Sequence, residues 1–183
     1  QSGRDGAKNL ELLCPLGPNL TVGTGSGHVQ LLGAFGSVRI TTGTGRVEIE
    51  EANVADLRSG SGDIRAARCV TFCRVQTGTG RAEIGSCGSG EVATGSGSVS
   101  IRLASGRVRI RTSSGGVDLG GDGCQDMAVQ SISGSVRVRL PGHVRPAAHL
   151  LSKQPPRCEL QAGDDCRIMV QTMNGRIEVV SSE

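Results

Sequence analysis

Few side chains in this sequence could bind a metal or move a proton. Among 183 residues there are three histidines and seven cysteines. His143, His149, Cys158 and Cys166 are all zinc ligands by type, but their spacings of six, nine and eight residues match no short zinc pattern. No metal and no organic cofactor is therefore expected. His28 opens a strand-like run and reads as a solvated surface residue. The cysteines are odd in number and contain no CxxC pair, unlike a secreted disulfide framework. Most read as small buried hydrophobes. Serine and threonine abound, yet no His–Asp pair stands where it would activate one. No cluster of carboxylates recurs on one outward face, so no catalytic residue is expected.

Two other residue classes recur in patterns. Thr24 and Ser26, Thr42 and Thr44, Ser59 and Ser61, Thr77 and Thr79, and Thr94 and Ser96 form two hydroxyl rows. Regular hydroxyl arrays suit ice binding, whereas a structural first row would cap strand ends by bonding turn amides. Calcium-binding solenoids place an aspartate in each turn, and these turns carry Thr, Ser and Gly instead. Charge is uneven although the net charge is only +3, too small to imply nucleic acid. Residues 97–157 carry nine arginines and lysines against three aspartates, while residues 27–96 balance seven against seven. Arg102, Arg107, Arg109, Arg111, Arg137 and Arg139 form a candidate anion-binding patch for a glycan, a lipid head group or an acidic protein. The bland alternative is a solvated surface with edge-protecting charge. Arg109 and Arg111 alternate with inward Val108 and Ile110, and Arg137 and Arg139 flank inward Val138, so both pairs face solvent, on opposite sheets.

What must position these groups is an internal repeat. Eight glycines, Gly27, Gly45, Gly62, Gly80, Gly97, Gly115, Gly134 and Gly175, share one environment. Three residues before each stands Thr or Ser, five before stands Val, Ile or Leu, and two and four after stand Val, Ile, Leu or Ala. The first seven are 18, 17, 18, 17, 18 and 19 residues apart. Period two within each unit is the strand signal, and the glycine supplies a turn with positive φ. One such unit cannot bury its apolar face alone, but stacked units can, in parallel ladders ~4.8 Å apart. The composition agrees: with no Trp, no Tyr and two Phe, the core must be thin.

The fold expected is an all-β, right-handed parallel β-solenoid of about nine coils of roughly 18 residues, two strands per coil. It forms a single domain over 1–183, with a cap at 1–19, regular coils at 20–140, an irregular coil with loops at 141–166 and a last regular coil at 167–180. Val47, Ile49, Ile64, Val75, Ile84, Val99, Ile101, Ile110, Val117 and Val136 should be buried, and Arg46, Glu48, Arg65, Arg81, Glu83 and Arg137 exposed. Ala34, Ala52, Cys69, Cys87 and Ala104 should stack inside the turn opposite the glycines. That makes Cys69 and Cys87 neighbours, either bonded or packed as free thiols. Because the final coil is regular and only Ser181, Ser182 and Glu183 follow it, an edge-to-edge contact through that coil is expected. No apolar run approaches the ~18 residues of a membrane span.

Units such as TGTGRVEIE, SGSGDIRA and TGSGSVSIRL, with the stretch GSVRVRLPGHVRPAAHLLS, resemble a bacterial adhesin-like family of β-strand repeats of unassigned function. The resemblance covers about residues 20–180, and a related eukaryotic family with a mitochondrial address shares the pattern. It implies a right-handed β-solenoid at a cell surface or in an envelope, while the seven cysteines fit an intracellular or mitochondrial location. The function expected is a non-enzymatic binding or structural module. The alternatives are a polysaccharide-acting β-helix enzyme, which would show a groove with convergent carboxylates, and an ice-binding solenoid.

Overall fold

The computed structural model describes residues 10–14, 17–122 and 126–182, with Cys14 described for its backbone alone. The described chain holds no helix. Its strands stack in parallel register as a β-solenoid of about nine coils spaced about 18 residues apart. Most of the expected cap at 1–19 lies outside the described residues. Within it, β1 (Leu10–Cys14) pairs in parallel with β3 (Val29–Thr44); just after it, β2 (Leu20–Ser26) pairs with the later part of β3. The first coil thus reaches further upstream than residue 20.

Four coils are single continuous strands rather than two: β3, β4 (Val47–Ser61), β5 (Ile64–Thr79) and β6 (Ala82–Ser96). The ladder persists around the corner because shifts at Leu31/Ala34, Ala52/Val54 and Cys69/Phe72 absorb the bend without ending the pairing. In β4 the buried apolar residues are Val47, Ile49, Ala52, Ala55 and Leu57. Two steps of three among the steps of two turn the chain through the corner while keeping one side inward. Later coils break there into β7 (Val99–Ala104) and β8 (Val108–Ser114), then β9 (Val117–Gly121) and β10 (Met127–Ser133). We call the face preceding each glycine turn face A (β2, β8, β10 and the later halves of β3–β6). Face B follows the turn.

All ten core residues named above are buried. Arg46, Arg65, Arg81 and Arg137 are exposed, while Glu48 and Glu83 are half-buried beneath arginine side chains. The turn glycines are needed twice over. Gly45 has φ 132°, and a Cβ on it would lie 2.0 Å from the Gly27 carbonyl oxygen one coil away. At the opposite corner Ala52, Cys69, Cys87 and Ala104 are buried, but Ala34 is not. Gly33, with φ 103°, bulges the first full coil by one residue, so Phe35 takes that place opposite Ala52.

Cys69 and Cys87 are register partners with free thiols, and Cys73 lies buried beside them. The hydrogen bond with Cys69, added to burial, holds the Cys73 thiol well above its ordinary pKa. Burial, with the Cys69 charge, pushes Cys87 up to about 12. The hydrogen bond with Cys73 lowers Cys69, while Cys73 and Cys87 stay protonated and unreactive at neutral pH.

The C-terminal third departs from chain order. β11 (Val136–Pro141) continues face B, but the chain then skips a layer. β12 (Pro146–Leu151) and β13 (Arg157–Cys158) form the outermost layer, and β14 (Cys166–Asn174) and β15 (Ile177–Ser182) return to fill the gap. β14 pairs with β10 on one side and β12 on the other, and β15 lies between β11 and β13. Gly134 and Gly175, 41 residues apart in sequence, are direct neighbours: a Cβ on Gly175 would lie 1.9 Å from the Gly134 carbonyl oxygen. The expected edge contact through the last coil is therefore corrected. That coil is internal, and the exposed edge belongs to the segment carrying Pro146, Pro155 and Pro156, which suits an edge that must not pair.

Candidate binding surface

Parallel stacking places each outward side chain beside its equivalents from neighbouring coils, so charges along a column meet. On face A one column reads Arg39, Asp56, Arg74, Glu91, Arg109, Ala128, Met169 and His149. Arg39 lies 3.4 Å from Asp56, and Arg74 lies 2.8 Å from Glu91. The alternation then stops. Glu91 is engaged by Arg74, and among the described residues neither Arg109 nor Arg111 has a carboxylate within ion-pair distance. Face B keeps its alternation. Arg65 bonds Glu83 at 2.8 Å, which raises the arginine's pKa, Arg137 bonds Glu178 at 3.0 Å, and Arg139 bonds Asp118.

The six arginines expected to form one patch are thus dispersed. Arg109 and Arg111 lie on β8 of face A with their charge uncompensated. Arg107, at the start of that strand, is 3.4 Å from Asp126. Arg137 and Arg139 lie on face B, each neutralised. Arg102, also on face B, is exposed beside Gly85 and Ser100. Arg167, outside the expected patch, is the second residue of β14 on face A and is exposed with no carboxylate partner among the described residues.

Beside Arg111 runs a trough of about 810 Å³. One wall is a column two residues along from the charged one: Thr41, Arg58, Gln76, Ala93, Arg111, Gln130 and Gln171. Six ladder steps at ~4.8 Å make it about 29 Å long. The floor is bare where Gly60, Gly78 and Gly95 stand and closes where Ile132 and Met173 replace glycine. No Asp or Glu lines the trough. A smaller depression of about 430 Å³ on face B does carry Glu83, Asp118 and Glu178, but Arg65, Arg139 and Arg137 respectively engage all three.

The first hydroxyl row faces inward. Thr42, Ser59, Thr77, Thr94, Thr112, Ser131 and Thr172 are all buried, so the two rows do not form one surface array. Thr42, Thr77 and Thr112 donate to the carbonyls two residues on, at 3.1, 3.2 and 3.2 Å, rather than accepting from turn amides. The hydroxyls of Ser59, Thr94, Ser131 and Thr172 have no protein partner. The candidate zinc ligands do not converge. His149 pairs in register with Met169, Cys158 with Val179 and Cys166 with Pro146, and no group of three His, Cys, Asp or Glu among the described residues could hold an ion. Among those residues no helix is long and apolar enough to cross a membrane.

The trough was legible in one unexploited column. Two residues before the repeat glycines stand Gly25, Gly43, Gly60, Gly78 and Gly95, then Ser113, Ile132 and Met173. That change from glycine to large apolar side chains marks where the surface changes character. No family model, curated protein or solved structure matches the chain, so its function rests on this surface alone.

Proposed function

We propose that the protein is a non-enzymatic β-solenoid binding module, adhesin-like in organisation, that engages an anionic partner along the trough of face A. The uncompensated charge of Arg109 and Arg111 carries this reading. Earlier in the Arg109 column Arg39 meets Asp56 and Arg74 meets Glu91, whereas Arg109, and Arg111 on the wall of the open trough, meet no carboxylate among the described residues. Such a wall attracts an anion and gives binding that weakens with salt. The lack of carboxylates in the trough, and the arginine engagement of those on face B, support binding over glycoside hydrolysis, which ordinarily needs two carboxylates free to exchange protons or attack.

The test is fluorescence anisotropy with labelled poly-L-glutamate, at low and physiological ionic strength. The wild type should bind and weaken with salt. R109E/R111E should lose binding, and R137E/R139E, which alters the neutralised face, should keep it. Equal binding by all three proteins would remove face A from consideration.

A further inference from the structure

Resting on that reading of face A, we infer that the partner is a protein segment both acidic and apolar, a helix lying along the trough with its apolar side anchored on Ile132 and Met173. Face A carries two chemistries in sequence. Its N-terminal coils present paired charges and a glycine floor. Over β10, β12 and β14 it presents Ile132, Met169, Met173 and Leu151, which are 53%, 47%, 55% and 57% exposed. The register sets Ile132 beside Met173, since the flanking pairs Ser131–Thr172 and Ser133–Asn174 are in contact. Arg111 lines the same trough as Ile132 and Met173, Arg109 lies in the Met169 column, and Arg167 stands two residues before Met169 on β14.

Three observations select the occupant. Exposed Met and Ile beside Arg, with no Lys on β8, β10 or β14, is the composition of protein interfaces, where Met and Arg are enriched and Lys is depleted. Neutral sugars are gripped by aromatic rings, and the chain has no Trp or Tyr, while a polyanionic glycan would bind by charge and leave Ile132 and Met173 unused. A lipid surface calls for a continuous apolar face, whereas Gln130 and Gln171 interrupt this one. The length fits as well: a trough of about 29 Å takes a helix of about 19 residues at 1.5 Å per residue. The bare glycine floor lets such a helix approach the sheet backbone, and anchors recurring on one of its faces would meet the apolar end.

The probe is a labelled synthetic helix with glutamates on one face and leucines on the other, compared with poly-L-glutamate of equal charge, heparin and phosphatidylserine vesicles. The wild type should bind the helix about tenfold or more tightly than poly-L-glutamate, because two apolar anchors are buried in addition to the charge. I132S/M173S changes only exposed side chains, and should lower helix affinity to the poly-L-glutamate level while leaving poly-L-glutamate binding unchanged. Equal affinity for helix and poly-L-glutamate, or no effect of I132S/M173S, overturns the inference and leaves the charged surface standing. Preferential binding of heparin or vesicles that depends on Ile132 and Met173 overturns it in favour of a glycan or lipid. Helix binding that survives R109E/R111E overturns the reading of face A itself.

Discussion

Replacing Ile168 by Ala tests the inserted coil directly. Ile168 is fully buried and sits in register between Met127 of the preceding layer and Ala148 of the outermost one. Leaving a cavity with neighbours on both sides should cost about 2–5 kcal/mol. For a chain of this size that lowers the melting temperature by roughly 4–20 °C. Leu150 faces the same core from the outermost layer, where it is only half-buried. Leu150→Ala should cost much less, roughly 1–2 kcal/mol, since part of its surface already meets water. If chain order were spatial order, the ranking would invert, because Ile168 would lie in the end layer. Both variants can be compared by thermal unfolding followed by circular dichroism. A Leu150→Ala loss equal to or larger than that of Ile168→Ala would refute the layer exchange.

Two further expectations concern polar groups in the core. Thr77→Val removes a hydroxyl that donates to the Thr79 carbonyl and should cost about 1 kcal/mol, whereas Thr94→Val removes a buried hydroxyl without a protein partner and should be neutral or stabilising; equal losses in urea denaturation would show the two sites to be alike. The Cys87 thiol keeps its proton up to about pH 12 when folded, against an ordinary value of 9.0. Between these values the unfolded chain has lost a proton that the folded chain retains, so stability falls as pH rises through that window. Cys87→Ala should flatten the decline measured by denaturation at alkaline pH, and an unchanged slope would contradict the burial assigned to the thiol.

The sequence revealed what is periodic and concealed what depends on order in space. The glycine spacing and the inward Val and Ile positions repeat in every coil, so the coils and their core were legible. Ala34 was misplaced because a single positive-φ residue, Gly33, shifts the corner by one position. The 41 residues between Gly134 and Gly175 announce an extra coil, but strand stacking is non-local, and nothing in the spacing says which layer that coil occupies. The division of the candidate arginines into paired and unpaired ones was hidden for a related reason. Whether an arginine is neutralised depends on its neighbour one coil away, as with Arg137 beneath Glu178, which lies 41 residues on in sequence yet one ladder step away. Aligning the columns exposes these pairs only once the layer order is known.

The claim that face A is the working surface is tested most directly by arginine-specific labelling with phenylglyoxal, read residue by residue in a mass spectrometer, with and without poly-L-glutamate. In the free protein Arg109 and Arg111, which lack carboxylate partners among the described residues, should label faster than Arg137 and Arg139, which are engaged by Glu178 and Asp118. Bound poly-L-glutamate should suppress labelling of Arg109 and Arg111 and leave the face B pair unchanged. Protection concentrated on Arg137 and Arg139 would contradict the account.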